Sequence, residues 1–315
     1  MHSQFKRTTA ALRRRWSAIS RRAIVILVYH RITTDVGDAH NLAVSPKRFA
    51  EQLEVLRRWG QPIRARDLPG ILRQRKLPRR GYVVTFDDGY VDNLTNAKPL
   101  LQKCETPATV FAASAFAPGG REYWWIALDT ILESARREKR NLHVKEGEIT
   151  TSTRSWFETA LSGTSPAGVA EALKALRLQG TGCHPSVDSA PMTEDQLHAL
   201  TADGLIDIGA HSINHRRLAL LSEDDQREEI SGAKHHLEEV LGRSVDTFAY
   251  PFGVEGSDYT RRTQELVKEA GFACAFSVRS FPLVGYCDPY ALPRCWVSDW
   301  DGDEFSRRLR FWYTR

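Results

Sequence analysis

Cysteine is scarce in this chain. Its five cysteines, at positions 104, 183, 274, 287 and 295 of 315 residues, are odd in number and show no Cys-x-x-Cys spacing. Such usage argues against a disulfide scaffold and fits reduced, mostly buried thiols in a cytoplasmic protein. Long apolar runs are missing too. The stretch Ala23 to Tyr29 is too short to span a bilayer and has no small-residue cleavage site. It reads as a buried strand, with neither a signal peptide nor a transmembrane helix evident. Internal repeats and low-complexity segments are absent. With 42% hydrophobic and 26% charged residues, the composition is globular and excludes a largely disordered chain.

Acid is missing from residues 1–31, which carry Lys6, Arg7, Arg13, Arg14, Arg15, Arg21, Arg22 and Arg31. The formal net charge of +5 is therefore concentrated at one end, and the remainder is slightly acidic. A nucleic-acid-binding role for the whole chain finds no support in that distribution. Residues 1–22 form a basic arm with Phe5, Leu12, Trp16 and Ile19 at roughly helical spacing. The pattern reads as a solvated amphipathic helix or as a peripheral contact with anionic lipid.

Residues 23–315 read as one α/β domain. Strands are expected at Ala23 to Tyr29, Gly81 to Phe86, Thr106 to Ala113, Leu205 to Ala210, Val245 to Tyr250 and Phe272 to Val278. Between them, Ser45 and Pro46 open a helix with Phe49, Leu53 and Leu56 on its apolar face and Gly60 as its stop. Ser222 opens another with Ile230, Ala233, Leu237 and Leu241, stopped by Gly242. A third runs from Thr260 to Ala270. Alternating strands and helices argue for a parallel sheet. The alternation fails between about 118 and 204. There the helical stretches Trp124 to Arg140, Val169 to Leu178 and Met192 to Ala202, with polar and irregular residues 141–168, predict a mostly helical insertion.

Two short segments carry the chemistry. Thr85-Phe86-Asp87-Asp88-Gly89-Tyr90 places adjacent carboxylates at the end of one strand, and His211-Ser212-Ile213-Asn214-His215 places two imidazoles just after another. Taken singly, the first reads as an ordinary turn and the second as a solvated pair. Barrels and open sheets gather strand ends on one face, so the two segments can converge. One carboxylate and two histidines can then hold a divalent metal, leaving the other carboxylate to take a proton from water. The combination points to metal-assisted hydrolysis.

These segments resemble two motifs, TFDDG and H-S/T-x-x-H, of the polysaccharide deacetylases with the NodB homology domain, carbohydrate esterase family 4. With their flanking strands they account for about two-thirds of the chain. The resemblance implies a distorted (β/α) barrel, with Asp87 as general base and Asp88, His211 and His215 as metal ligands. It also implies a metal-dependent deacetylase that removes N-acetyl groups from an amino-sugar oligo- or polysaccharide and releases acetate. A carbohydrate O-acetyl esterase is one alternative, and a non-catalytic carbohydrate-binding module that retains the metal site is another. Two imidazoles favour Zn2+, with Co2+, Ni2+ or Mn2+ as other occupants.

The chain departs from the family pattern in two places. Phe248 to Gly253 stands where the third motif is expected, but Ala249 occupies its Arg position and Phe252 its Tyr position. The family's Tyr offers a backbone N–H to the oxyanion, a role open to Phe252 as well. Arg294, after Pro293, either supplies the missing charge from another strand or is a surface or structural residue. The family's terminal histidine motif is absent, since no His follows His236. His30, in the segment Tyr29-His30-Arg31, is the candidate acid or else a structural residue. His235 and His236 read as solvated, and His143, His184 and His198 as insertion residues without ligand partners. Trp296 and Trp300, near Asp299 and Asp301, read as a sugar platform or as anchors of a C-terminal helix.

Overall fold

All six residues of Ile24–Tyr29 (β1) and of Gly81–Phe86 (β2) are buried, as in strands covered on both faces. A computed structural model describes residues 22–34, 41–117, 122–138, 142–144, 147–149, 161–177, 189–285 and 287–314. Residues 1–21 of the basic arm lie outside the described residues, as do Cys183, His184 and the side chain of His143. Ala108–Ala112 (β3), Ile206–Ala210 (β4), Thr247–Ala249 (β5), Cys274–Val278 (β6) and Leu292–Trp296 (β7) complete a parallel set in which sequence neighbours are sheet neighbours. β1 pairs with both β2 and β7, with Leu27 opposite Val84 on one side and Cys295 on the other, so the sheet closes into a barrel. The (β/α) barrel expected from the sequence is the observed fold.

Period-two alternation divides each strand between two packing regions. Ile24, Ile26, Val83, Phe111 and Phe276 belong to the barrel interior. Val25, Leu27, Val84, Val110 and Ile208 pack in the larger core beneath the helices. The interior leaves no room for a side chain at Gly209, where a Cβ would sit 2.4 Å from the Phe111 ring and 2.6 Å from Thr247 Oγ1.

Nine helices surround the barrel among the described residues: Pro46–Trp59 (α1), Leu68–Gln74 (α2), Lys98–Lys103 (α3), Trp124–Arg137 (α4), Pro166–Arg177 (α5), Glu194–Thr201 (α6), Glu223–Leu241 (α7), Arg261–Glu269 (α8) and Gly302–Thr314 (α9). Their ends follow from local chemistry. Ser45 caps α1 with Pro46 in its first turn. Thr193 and Gln196 form a capping box on α6. Gly242, in the left-handed region at φ 63°, closes α7 by donating to the Glu238 carbonyl.

The insertion between β3 and β4 carries α4, α5 and α6. It builds its own apolar cluster, in which Leu128, Ile131 and Leu173 pack with Phe116, Tyr123 and Trp125. The irregular reading of residues 141–168 is corrected: Leu142–Val144 and Gly147–Ile149 form an antiparallel hairpin, and α5 begins at Pro166. Three-residue strands are too short to show a period, and Pro is favoured in a helix's first turn, so α5 starts before its apolar pattern does. β7, which the sequence reading lacked, is a full member of the barrel. No helix among the described residues is long and apolar enough to cross a membrane.

Candidate active site

The carboxyl ends of the barrel strands converge on one cleft of about 370 Å³. β1 delivers His30, β2 Asp87 and Asp88, β4 His211 and His215, the loop after β5 Phe252, and β7 Trp296; all seven line the cleft. The backbone is unusual at this rim. Asp88, Ser212, His215 and Phe252 have φ of 70°, 61°, 54° and 63°. Left-handed conformations at non-glycine residues cluster at functional sites, where the surrounding structure imposes them.

Asp88 is the centre of the arrangement. Its Oδ1 lies 3.4 Å from His215 Nε2 and 3.6 Å from His211 Nε2. That oxygen is buried and has no hydrogen-bond partner among the described residues. His211 Nδ1 donates to the Ala249 carbonyl at 2.7 Å, which leaves Nε2 as the lone-pair nitrogen facing Asp88. Burial pushes the Asp88 carboxyl up, and Asp87 adds to the effect. Burial lowers both imidazoles, in His215 with His211 adding to it and in His211 against the pull of Asp87. A partnerless carboxylate oxygen facing two neutral imidazole nitrogens is a donor set that fits a divalent cation. The three residues are the only such cluster among the described residues.

The loop that carries the histidines is held from outside the cleft. Glu229, buried on α7, accepts from the Ile213 and Asn214 amides at 3.0 and 2.9 Å and from Asn214 Nδ2 at 2.8 Å. Ser212 Oγ accepts from the His215 amide at 3.0 Å. Reading α7 for its apolar face alone passes over Glu229, because a Glu in a helix ordinarily faces water.

Asp87 sits in a different field. Burial alone would raise its carboxyl, but the Arg294 guanidinium and then His211 outweigh burial and hold it at about 2. Arg294 Nη1 and Nη2 donate to the two Asp87 oxygens at 2.6 and 2.8 Å, and Arg294 Nε donates to the Ser277 carbonyl at 3.2 Å. Arg294 is fully buried, so the surface reading of this residue is excluded. The family model described as polysaccharide deacetylase matches residues 74–275. The chain belongs to that family. YxkH of Bacillus subtilis (strain 168), whose name places it among polysaccharide deacetylases, is 36% identical over 88 residues. That match spans 27% of this chain and 30% of the relative.

Three solved structures share the family fold. The Streptococcus pyogenes deacetylase PplD, solved in complex with acetate, superposes with a TM-score of 0.62 at 17% identity, over 91% of this chain and 98% of that one. IcaB from Ammonifex degensii gives 0.60 at 21% identity, over 93% and 97%. A de-N-acetylase from Aggregatibacter actinomycetemcomitans gives 0.56 at 14%, over 91% and 99%. At these identities the likeness is one of fold, the NodB-type barrel.

The remaining sequence candidates separate. His30 lies in the cleft with its ring 4.7 Å from that of Trp296. Phe252 packs 4.9 Å from His215, and the Arg217 guanidinium lies 4.4 Å over its ring. Trp300 packs near Trp312 of α9, with the Arg308 guanidinium 5.0 Å over its ring. Trp296 thus lines the cleft, and Trp300 packs against the C-terminal helix as the anchor reading expects. Asp299 accepts from the Ser45 amide and hydroxyl, both at 2.8 Å, and Asp301 from the Glu304 amide at 2.8 Å. His198 and His235 are exposed, and His236 lies 3.5 Å from Glu194. Sequence reasoning missed Trp124 and Trp125, which the insertion brings into the cleft wall. Two adjacent tryptophans opening a helix are a composition signal, but nothing local encodes where an insertion folds back.

Proposed function

We propose that the protein is a metal-dependent deacetylase that hydrolyses N-acetyl groups of an amino-sugar oligo- or polysaccharide and releases acetate. The observation that carries this reading is the partnerless Asp88 oxygen, which faces two imidazoles beside an ionised Asp87. Asp88, His211 and His215 would hold the cation, with Zn2+ favoured by the two nitrogen ligands. A divalent cation at such a site polarises a carbonyl and lowers the pKa of a water.

The chain's own residues would perform the rest. Asp87 takes the proton of the attacking water, and Arg294 fixes both of its oxygens so that the carboxylate cannot swing away. The Phe252 backbone N–H donates to the oxyanion, which is why the side chain at this position need not be Tyr. His30, across the same cleft, protonates the departing amine. Trp296 and Trp124 offer aromatic faces to the apolar face of a pyranose. The test is acetate release from N-acetyl chito-oligomers, with and without chelator. Acetate and free amine in equal amounts, lost on chelation, support the reading; binding of the oligomer without release points to a carbohydrate-binding module.

A further inference from the structure

The aromatic wall supplied by the insertion reaches beneath the cleft to Asp88. Tyr123 Oη donates to the Asp88 carbonyl at 2.8 Å, bracing a peptide that follows a left-handed residue. Trp125 Nε1 donates to Tyr90 Oη at 2.7 Å, which anchors the side chain two residues beyond Asp88. An indole N–H can only donate, so Tyr90 Oη accepts from it. Asp88 Oδ1 has no hydrogen-bond partner among the described residues and faces the imidazoles.

The ring of Trp125 lies 4.5 Å from that of His215 and stacks on Tyr123 at 18°. Tyr90 and Tyr123 are fully buried and Trp125 is 6% exposed, so these bonds are shielded from competing water. The far end of the insertion grips the same loop. Met192 N donates to the Gly89 carbonyl at 3.0 Å, and the Val91 amide to the Ala190 carbonyl at 2.9 Å. Residues 88–91 are thus held from both ends of the insertion.

We propose that Tyr123 and Trp125 are positioning residues of the metal centre. Acting through the Asp88 peptide, the anchored Tyr90 side chain and the His215 ring, they hold Asp88 against the two imidazoles and set the affinity and coordination geometry of the cation. The inference rests on the metal-site reading above and deepens it: the insertion is part of the metal centre as well as a wall of the cleft.

The experiment is a metal titration of chelator-stripped protein, read by competition with a chromophoric chelator for Zn2+ and by the visible absorption of bound Co2+. Groups that orient metal ligands typically change affinity about 10- to 100-fold when removed. Trp125→Phe keeps an aromatic ring but removes the indole donor, and Tyr90→Phe removes only the hydroxyl that accepts from it. Both are expected to raise the Kd within that range and to shift the Co2+ bands at saturation. Tyr123→Phe should change both in the same direction. Arg137→Ala, elsewhere on α4, should match the wild type. A defect of folding alone would lower the fraction of loaded sites and leave the Kd and the bands of the folded fraction unchanged. If Trp125→Phe fails to fold, Tyr90→Phe and Tyr123→Phe decide the matter. Wild-type Kd and wild-type Co2+ bands in the folded variants overturn the inference alone. A wild-type protein that binds neither metal overturns the metal-site reading and the inference with it.

Discussion

Arg294 reaches Asp87 across the barrel interior, from β7 to the end of β2, through two hydrogen bonds of 2.6 and 2.8 Å. The family pattern expects a charge at the position of Ala249; in this chain a buried guanidinium arrives from a strand 45 residues later in the numbering. A fork matched to both carboxylate oxygens fixes the plane of Asp87 as well as its charge.

That pairing predicts a pH dependence of stability. The folded carboxyl of Asp87 lies at about 2, below its ordinary value near 4. A depressed carboxylate contributes stability that is present above the unfolded value and is lost as pH falls through the folded one. In metal-free protein, denaturant unfolding of wild type and Asp87→Asn should therefore differ by about 2 kcal/mol less at about pH 2 than at about pH 5. Arg294→Met, which strands a buried charge, should lose about 3–5 kcal/mol at neutral pH. A parallel pH dependence for wild type and Asp87→Asn would remove Arg294 as the cause of the depressed carboxyl.

Metal loading should depend on Asp88, His211 and His215 together. His211→Ala or His215→Ala should abolish stoichiometric metal, measured by elemental analysis after gel filtration. At a metal concentration about a hundredfold above Kd, loading should add about 2.7 kcal/mol to wild-type stability and nothing to these variants. A fully loaded double-His variant would sink the ligand assignment.

Asp87→Asn should retain the metal and lose turnover. It removes proton acceptance without removing a proposed ligand, and the loss of a general base costs about 10²–10⁴ in rate. Near-wild-type kcat in this variant moves the base elsewhere.

His30→Ala should load metal normally and lower kcat. An imidazole that must enter the reaction protonated loses its effect as pH rises, so its removal should erase the alkaline limb of the kcat profile. Unchanged kcat with an unchanged profile leaves His30 as a structural residue beside Trp296.

Much of this molecule is legible in its sequence, for identifiable reasons. The strands carrying Asp87 and His211 are apolar runs ended by turn residues, and Ser45, Thr193, Ser222 and Gly242 mark helix ends at the positions where they act. The convergence of Asp88 with His211 and His215 follows from strand ends sharing one face of a barrel. β7 stayed hidden because Leu-Pro-Arg-Cys-Trp breaks two strand rules at once: Pro293 removes a donor, and Arg294 puts a charge in the core. Both exceptions resolve only in three dimensions, where Asp87 meets the charge. The contacts of Tyr123 and Trp125 with the loop after β2 have no local signal, since they depend on how an insertion of nearly 90 residues folds back. Trp296 and Trp300 are four residues apart and equally aromatic, yet only the first ends a barrel strand.

Three side chains are proposed to hold a cation that this chain needs for hydrolysis. The most direct test is reconstitution: chelator-stripped protein is titrated with Zn2+ or Co2+ while acetate release from an N-acetyl chito-oligomer is followed. With the cation held by Asp88, His211 and His215, no acetate forms without metal, the rate climbs linearly and breaks at about one metal per chain, and His215→Ala shows no recovery. Acetate release that persists in metal-free protein, or metal bound at that ratio with no acetate released, would contradict that role for the cation.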